Sequence, residues 1–290
     1  MGFLFRFLSF LPLPLLHNLG AAAGWLIWLL SPTYRRHLRE NTALAGLAEA
    51  RGAAIAEAGK AIFELPKLWL RPHDEVVARI VKVSGWELVE EAWQVGRGIL
   101  FLTPHLGCFE ITAQYYANFR PMTVLYRRPK QDWLVPIIEQ GRGANLELAP
   151  ADMSGLKKLL KALKQGGAVG MLPDQAPGAG EGVWAPFFGR PAYTMTLAAR
   201  LVQQTGAALL LAWAERLPQG RGYLLRIARP TQPLPVTAAD DEALQLACAS
   251  AINAEMERLI AQCPGQYLWG YNRYKQPRKV HAATGVEVAA

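Results

Sequence analysis

The stretch GILFLTPHLGCFEITAQYYANF, residues 98–119, decides how the fold is interpreted. Its apolar start is short, as in a buried strand. Pro104 disfavours helical geometry at Thr103 and removes a backbone donor, so the strand is expected to end there. Gly107 permits a tight turn, and a helix is expected to begin near Phe109. The stretch therefore predicts a strand, a turn and a helix in succession.

The same alternation continues along the chain. Buried-type strands are predicted at 98–103, 121–126, 145–149, 167–173, 207–213 and 223–228. Helices are predicted at 132–140, 154–167, 194–206 and about 239–262, with one or two more within 40–70. The helix at 154–167 has a serine for its amino-terminal cap and a glycine for its stop. Strands alternating with helices indicate an α/β fold with a mixed, largely parallel sheet flanked by helices.

His105 is expected at the carboxyl end of the first of these strands, and Glu110 in the first turn of the following helix. Ligands of open α/β sheets bind at that edge. A neutral imidazole can take a proton from a hydroxyl while a carboxylate holds its other nitrogen. Backbone N–H groups near Gly107 and Cys108 are candidates to face a developing oxyanion.

Two other interpretations of this junction stay open on the residues alone. His105 can be a satisfied polar residue at a strand end, with Glu110 a helix-terminal charge. Cys108 can be a nucleophile, although an apolar neighbourhood raises the pKa of a thiol and disfavours this role.

Composition limits the partners. The chain has 290 residues, of which 51% are hydrophobic and 19% charged, whereas soluble domains carry about 25% charged residues. Its net charge of +8 suits an anionic partner: a membrane surface, a phosphorylated substrate, an acidic protein or a nucleic acid. The basic residues are dispersed without a recognised nucleic-acid module, so nucleic acid is disfavoured. Three cysteines without a CxxC pair disfavour zinc, redox chemistry and disulfides, and indicate a reducing compartment.

The first thirty residues are strongly apolar, interrupted by Arg6 and His17. As a helix, residues 13–30 would cover about 27 Å, close to the thickness of the hydrocarbon core. Three arginines follow directly: Arg35, Arg36 and Arg39. Clustered arginine favours the cytoplasmic side, so the remainder is predicted to be cytoplasmic.

A cleaved signal peptide, a buried core helix and a helix lying in the plane of the membrane are the alternatives to a spanning anchor. Pro12, Pro14, His17 and Gly20 weaken a clean spanning helix. We predict membrane attachment with its geometry open. The predicted organisation is a hydrophobic membrane anchor at 1–31, a catalytic domain at 32–278 and a loose tail at 279–290.

The spacing H-x-x-x-x-E of His105 and Glu110 resembles the H-x-x-x-x-D hallmark of the glycerolipid acyltransferase superfamily. Its glutamate version looks like the lipid A biosynthesis lauroyl/myristoyl acyltransferases of Gram-negative bacteria. Further blocks similar to that family follow in order: RRHLRENTALA (35–45), LYRRPK (125–130), GRGANLEL (141–148), LPDQ (172–175), FFGRPA (187–192) and QYLWGYNRYK (266–275). The glycine-rich stretch APGAGEG at 176–182 departs from the family pattern and leaves the acceptor contacts open.

This resemblance implies an acyltransferase in which His105 is the general base and Glu110 orients it. It also implies substrate-binding roles for Gly107, Arg127, Arg128, Arg142, Asp174, Phe187 and Phe188. Arg142 would bind an acceptor phosphate or the thioester oxygen, and Asp174 would orient Arg142, an acceptor hydroxyl or a neighbouring backbone group. The two arginines at 127–128 would meet phosphates, and the two phenylalanines would line the acyl chain. Surface arginines, a turn aspartate and core phenylalanines are the structural alternatives.

The implied partners are an acyl carrier protein, membrane lipids and a lipid A precursor, at the cytoplasmic face of the bacterial inner membrane. The acyl thioester would be a co-substrate, and no metal or bound cofactor is expected. A monomer is expected. Three functional alternatives remain: acyl-coenzyme A or another lipid acceptor, a thioesterase or hydrolase, and a non-enzymatic binder. A serine hydrolase is disfavoured because the chain has no G-x-S-x-G.

Overall fold

A computed structural model describes residues 2–129, 131–141 and 146–277. Its strands are β1 (Ile80–Ser84), β2 (Ile99–Leu102), β3 (Met122–Tyr126), β4 (Leu146–Pro150), β5 (Ala168–Met171), β6 (Gly182–Phe187), β7 (Arg190–Met195), β8 (Ala208–Arg216) and β9 (Tyr223–Ala228). Its helices are α1 (Gly2–Phe10), α2 (Leu13–Leu30), α3 (Pro32–Leu44), α4 (Arg51–Leu70), α5 (His73–Val77), α6 (Glu87–Val95), α7 (Phe109–Ala117), α8 (Val135–Gly141), α9 (Met153–Lys164), α10 (Leu197–Thr205) and α11 (Asp241–Ile260).

Within the described residues, seven strands form one sheet in the order β1-β9-β8-β2-β5-β3-β4. Neighbours in this sheet run parallel except β8 and β9, which pair antiparallel. Side chains from α9, α10 and α11 pack on one face with Leu100 and Leu102, and those from α6 and α7 pack on the other with Ile99 and Phe101. The predicted α/β fold with a mixed, largely parallel sheet flanked by helices is confirmed.

The central pairing of β2 with β5 fixes the height of the two loops that follow these strands. Leu102 lies opposite Met171, and these are the last residues of their strands. Each strand is followed by one residue and a proline, Thr103-Pro104 after β2 and Leu172-Pro173 after β5. Because the strands are parallel and in register, residues 105 and 174 leave the same edge at the same level.

Two details differ from the expectations. The cap of α9 is Asp152 rather than Ser154, because the Asp152 carboxylate accepts hydrogen bonds from the N–H groups of Ser154 and Gly155. The antiparallel hairpin of β6 and β7 takes residues 190–195 into a strand, so the helix expected from 194 begins only at Leu197.

The apolar amino terminus forms two helices that separate at Pro12, and α2 is long and apolar enough to cross a membrane by length and composition. One face of α2 packs against α4 through glycines. A Cβ placed on Gly59 would lie 1.8 Å from the carbonyl oxygen of Gly20, so no side chain fits there. The expected loose tail at 279–290 lies outside the described residues, and the boundary at residue 31 stays a prediction.

Candidate active site

His105 and Asp174 meet at the carboxyl edge of the central strands. The ring Nδ1 of His105 lies 2.8 Å from Oδ1 of Asp174, and the His105 backbone N–H donates to Oδ2 at 2.9 Å. One carboxylate therefore fixes both the backbone and the ring of the histidine. This holds the protonated ring nitrogen toward Asp174 and turns Nε2 outward.

The environment of Asp174 keeps it charged. Its side chain is buried and also accepts a hydrogen bond from the hydroxyl of buried Tyr267. Burial would raise the pKa of Asp174, but the charge and hydrogen bonds of His105 outweigh it, so this pKa is lowered from its ordinary value. Burial raises the pKa of Tyr267 well above its ordinary value, and the neighbouring Asp174 carboxylate raises this pKa further. The Tyr267 hydroxyl therefore keeps its proton and remains a hydrogen-bond donor. A buried, ionised carboxylate of this kind stabilises an imidazolium.

Gln175 lies on the other side of the imidazole. Its Nε2 is 3.1 Å from the Nε2 of His105. With Nδ1–H donating to Asp174, the free lone pair of the ring accepts from this amide. The nitrogen suited to general-base chemistry is therefore held by a neutral donor in this structure.

Glu110 occupies the first turn of α7, as predicted, but Asp174 holds Nδ1. The Glu110 carboxylate accepts a hydrogen bond from the indole N–H of Trp69 at 3.1 Å and lines an apolar cleft beside the histidine. The prediction that Glu110 is the carboxylate on Nδ1 is thus corrected. The physical reason is the register of β2 with β5, which brings the loop after β5 directly beneath the ring.

Gly107 makes the turn, as predicted, with φ of +58°. A Cβ at this position would lie 2.0 Å from the carbonyl oxygen of Ala214, so the glycine is required. Its N–H donates to the Gln266 carbonyl at 3.1 Å, and that of Cys108 donates to the Ala214 carbonyl at 2.8 Å. The prediction that these N–H groups face an oxyanion is wrong, because neighbouring backbone already accepts from them.

Cys108 itself is buried. Burial raises the pKa of the Cys108 thiol well above its ordinary value, and the nearby Glu64 carboxylate raises this pKa further. A thiol of this kind is a poor nucleophile at neutral pH because the reactive thiolate is scarce. The environment of Cys108 therefore disfavours it as a nucleophile and supports the interpretation in which His105 is the reactive group.

An apolar cleft opens beside the His105–Asp174 pair, with a lining of mainly apolar side chains. Its lining includes Thr103, Phe109 and Leu172, which lie close to His105 and Asp174 in the chain. The ring of Phe109 is 4.9 Å from that of His105, centroid to centroid. Further lining residues come from the sheet face and α7: Phe101, Tyr116, Met122, Leu225 and Ile227.

The three arginines predicted to bind substrate come next. Arg127 and Arg128 follow β3 on the same sheet edge and are exposed, with Arg128 3.5 Å from Asp132. Their phosphate-binding role stays a prediction. Arg142 lies outside the described residues. The described ranges contain no group of three His, Cys, Asp or Glu able to hold a metal ion.

Phe187 and Phe188 lie at the turn of the β6–β7 hairpin and pack into the core on the face opposite the cleft. Phe187 is 4.8 Å from Phe188, which packs in turn on Trp269 at 5.6 Å. Phe188 has φ of +46° and Gly189 +74°, the pattern of a two-residue hairpin turn. Phe187 is a core residue and Phe188 is partly buried against the same core, and their role as a wall for the acyl chain stays a prediction.

Three residues next to the site were not predicted: Trp69, Gln175 and Tyr267. Gln175 stands inside the quoted LPDQ block, directly after Asp174, which was a usable signal. Tyr267 lies in the block QYLWGYNRYK, where its aromatic character alone suggested packing. Trp69 comes from α4, forty-one residues before Glu110, and only tertiary packing brings the two together.

Residues 2–276 match the family described as bacterial lipid A biosynthesis acyltransferase. The chain is similar to the lipid A biosynthesis lauroyltransferase of Escherichia coli strain K12, 27% identical over 273 residues that cover 91% of this chain and 87% of the relative. The lipid A biosynthesis palmitoleoyltransferase of the same strain is 28% identical over 278 residues, 91% and 86% of the two chains. The corresponding myristoyltransferase is 26% identical over 268 residues, 88% and 78%.

The family match covers both strands that carry the His105–Asp174 pair, the cleft beside it and the apolar amino terminus. The resemblance found in the ordered sequence blocks is thereby confirmed. This chain belongs to the bacterial lipid A biosynthesis acyltransferase family and is an acyltransferase.

Proposed function

We propose that this protein transfers a fatty acyl chain from an acyl carrier protein thioester to a hydroxyl of a lipid A precursor, at the cytoplasmic face of the bacterial inner membrane. The observation that carries the proposal is the His105–Asp174 pair, with chain neighbours of both residues lining an apolar cleft. A base beside an apolar cleft suits a reaction that joins a lipid hydroxyl to an acyl group. The names of the related enzymes supply the acceptor class.

In the proposed mechanism the acceptor hydroxyl stands at Nε2 of His105 and gives it a proton while its oxygen attacks the thioester carbonyl. The buried Asp174 carboxylate stabilises the imidazolium that forms. The tetrahedral intermediate then collapses with cleavage of the carbon–sulfur bond, and the imidazolium returns its proton to the leaving thiolate. The products are the new ester and the free thiol of the carrier.

Gln175 has to yield its place on Nε2 to the acceptor oxygen. Its amide lies 3.1 Å from that nitrogen, so a small rotation leaves its N–H beside the reacting carbonyl. A neutral donor there stabilises the oxyanion as charge develops. Glu110, held by Trp69 on the wall of the cleft, is proposed to place the acceptor or the donor carbonyl against the base.

Two surface features support the choice of substrates. Exposed Lys157, Lys161 and Lys164 share one side of α9, and suit an acidic carrier protein or anionic headgroups. Exposed Arg127 and Arg128 stand on the catalytic edge, where they suit the phosphates of a glycolipid. The chain is proposed to act as a monomer without a metal or bound cofactor.

The test is reconstitution of the purified protein with acyl carrier protein thioester and a lipid A precursor, followed by mass spectrometry. The expected product is the precursor with one added acyl chain. Its rate is expected to fall at least about 10²-fold in His105→Ala. Free fatty acid as the main product would instead support a thioesterase, and equal use of acyl-coenzyme A would remove the carrier protein from the proposal.

A further inference from the structure

The first two helices leave one face covered with exposed apolar side chains. On α2 this face repeats every three or four residues, at Leu15, Leu19, Ala22, Leu26 and Leu30. The complete exposed set of large apolar side chains here is Phe3, Leu4, Phe7, Phe10, Leu15, Leu19, Trp25, Leu26, Ile27, Leu29 and Leu30. Apolar surface of this extent marks an interaction site.

The opposite face of α2 is fixed to α4 along most of its length. His17 lies 3.1 Å from Glu64, Gly20 meets Gly59 backbone to backbone, and a Cβ on Gly24 would lie 2.2 Å from the carbonyl oxygen of Ile55. The residue numbers of the contacts decrease along α4 as they increase along α2. The two helices are therefore antiparallel neighbours. The contact is too close for α2 to move away without breaking it.

The helix α4 is itself fixed to the sheet. Glu64 accepts two hydrogen bonds from the buried Arg216 guanidinium, at 2.6 and 2.9 Å, and one from the Tyr223 hydroxyl at 3.0 Å. At the amino end of α2, Pro14 touches Gly220 in the turn between β8 and β9. The catalytic domain therefore flanks α2 side by side instead of following it end to end.

A spanning position of α2 would draw its flanking elements into the hydrocarbon. The exposed Gln219 and Arg221 of the β8–β9 turn stand level with the start of the helix. Lipid-exposed irregular backbone does not occur within the hydrocarbon region, and a charged side chain there is strongly disfavoured. The packing thus disfavours the spanning arrangement that length and composition alone allow.

We propose that α1 and α2 lie in the plane of an anionic lipid bilayer, with the exposed apolar face in the hydrocarbon boundary and the packed face toward the protein. Charge supports the choice of partner. Exposed Arg6, Arg36 and Arg39 stand next to the apolar residues. The indole of Trp28 packs under the guanidinium groups of Arg35 and Arg39, a pairing typical of membrane interfaces.

This surface reaches the active site. Phe5 of α1 stacks on Trp69 at 6.0 Å, and Trp69 donates to Glu110 on the wall of the cleft. The Lys67 amine donates to the Ser9 carbonyl at 2.9 Å and holds the end of α1 in place. A lipid held at this surface meets the cleft without leaving the bilayer interface. This last step rests on the proposed function, whereas the in-plane position does not.

Topology labelling tests the in-plane position without any measurement of catalysis. Gly2→Cys places a thiol on α1, and Gly52→Cys places one on the exposed side of α4, where a Cβ has open space. Each variant is expressed in bacteria and treated with a membrane-impermeant maleimide in spheroplasts and in permeabilised cells, against the background of the unsubstituted chain. Both thiols are expected to label only after permeabilisation. Labelling of Gly2→Cys in intact spheroplasts, with Gly52→Cys protected, would overturn the proposal.

Vesicle flotation tests whether the exposed apolar face of α1 and α2 binds an anionic lipid bilayer. The double variant Leu19→Glu, Leu26→Glu is expected to reduce binding to phosphatidylglycerol vesicles at least tenfold. The matched change Val236→Glu, at a side chain 80% exposed elsewhere, is expected to leave it unchanged. Undiminished binding of the double variant, or equal binding to purely zwitterionic vesicles, would contradict the proposed partner. If both membrane tests succeed while acyl transfer fails, the membrane surface stands and the proposed function falls.

Discussion

At the scale of single residues, the site depends on which carboxylate holds His105. Asp174 is buried beneath the ring, whereas Glu110 lies on the cleft wall with its carboxylate on Trp69. An ionised group on Nδ1 stabilises the imidazolium that forms when the base takes its proton. Substitution of the two carboxylates should therefore have unequal effects on turnover.

We expect Asp174→Asn to lower kcat by about 10²–10⁴-fold, because the near-isosteric amide loses the charge that stabilises the imidazolium. Glu110→Gln is the matched change, and a smaller loss is expected from it. Steady-state kinetics of acyl transfer checks both, with thermal unfolding to show that each variant is folded. A folded Asp174→Asn enzyme with near-normal kcat would refute the assigned pair.

Gln175→Ala should lower kcat by about 10²-fold with little change in KM, because the amide is proposed to act only as negative charge develops. Gln165→Ala changes the same residue type at the exposed end of α9 and serves as the control. The measurement is initial rate against acceptor concentration. An increase in KM alone would assign Gln175 to ground-state binding instead.

The positions of His105 and Asp174 were predictable, but their contact was not. Both follow a short apolar strand and a proline, in L-T-P-H and M-L-P-D, which predicts the same sheet edge for each. Nothing in the sequence shows that β2 and β5 are neighbours in equal register, since β3, β4 and three helices intervene. Local spacing therefore favoured Glu110 as the carboxylate partner of His105, because Glu110 is five residues from His105 in the chain and Asp174 is sixty-nine.

At the scale of elements, the packing of α2 on α4 depends on glycines that the sequence shows only as helix-weakening residues. Gly20 and Gly59 bring the two backbones together. Composition predicted an apolar helix at 13–30 correctly, but not that one side of it is covered by α4. The β6–β7 hairpin was missed for a related reason, because its strands begin in a glycine-rich stretch and end at an F-F-G turn.

Gly59→Ala should lower the free energy of unfolding by about 1–3 kcal/mol, because the added methyl group would overlap the Gly20 carbonyl. Gly52→Ala in the same helix has open space and should raise stability by up to about 1 kcal/mol. Thermal unfolding in detergent followed by circular dichroism compares the two. Equal stability of both variants would show that the α2–α4 contact is looser than described.

At the scale of the whole molecule, a buried charged cluster connects the amino-terminal helices to the sheet. Glu64 of α4 contacts His17 of α2, Arg216 of β8 and Tyr223 of β9. Burial would raise the pKa of Glu64, but Arg216 outweighs it and lowers this pKa from 4.5 to about 2. The cluster is therefore a charged connection between three parts of the fold at neutral pH.

Stability should fall as the pH is lowered from about 4.5 toward 2. Because the pKa of Glu64 is lower in the folded state than in the unfolded chain, its contribution is complete above the ordinary value and is lost as the pH approaches 2. The shift corresponds to a contribution on the order of 3 kcal/mol. Urea unfolding across this range measures it. Glu64→Gln should be less stable at pH 7 and should lose stability less steeply on acidification; an unchanged slope would exclude Glu64 as the titrating group.

The loops that follow β2 and β5 are equally long up to His105 and Asp174. The active site therefore tolerates few insertions or deletions in them. His105 and Asp174 each stand three positions beyond the paired residues Leu102 and Met171. One additional residue in either loop would displace one partner by roughly 3.3 Å, more than the 2.8 Å that now separates their bonded atoms. Insertions and deletions should therefore be absent from these two short loops in active homologues, while the 176–182 stretch just beyond them is free to vary in length.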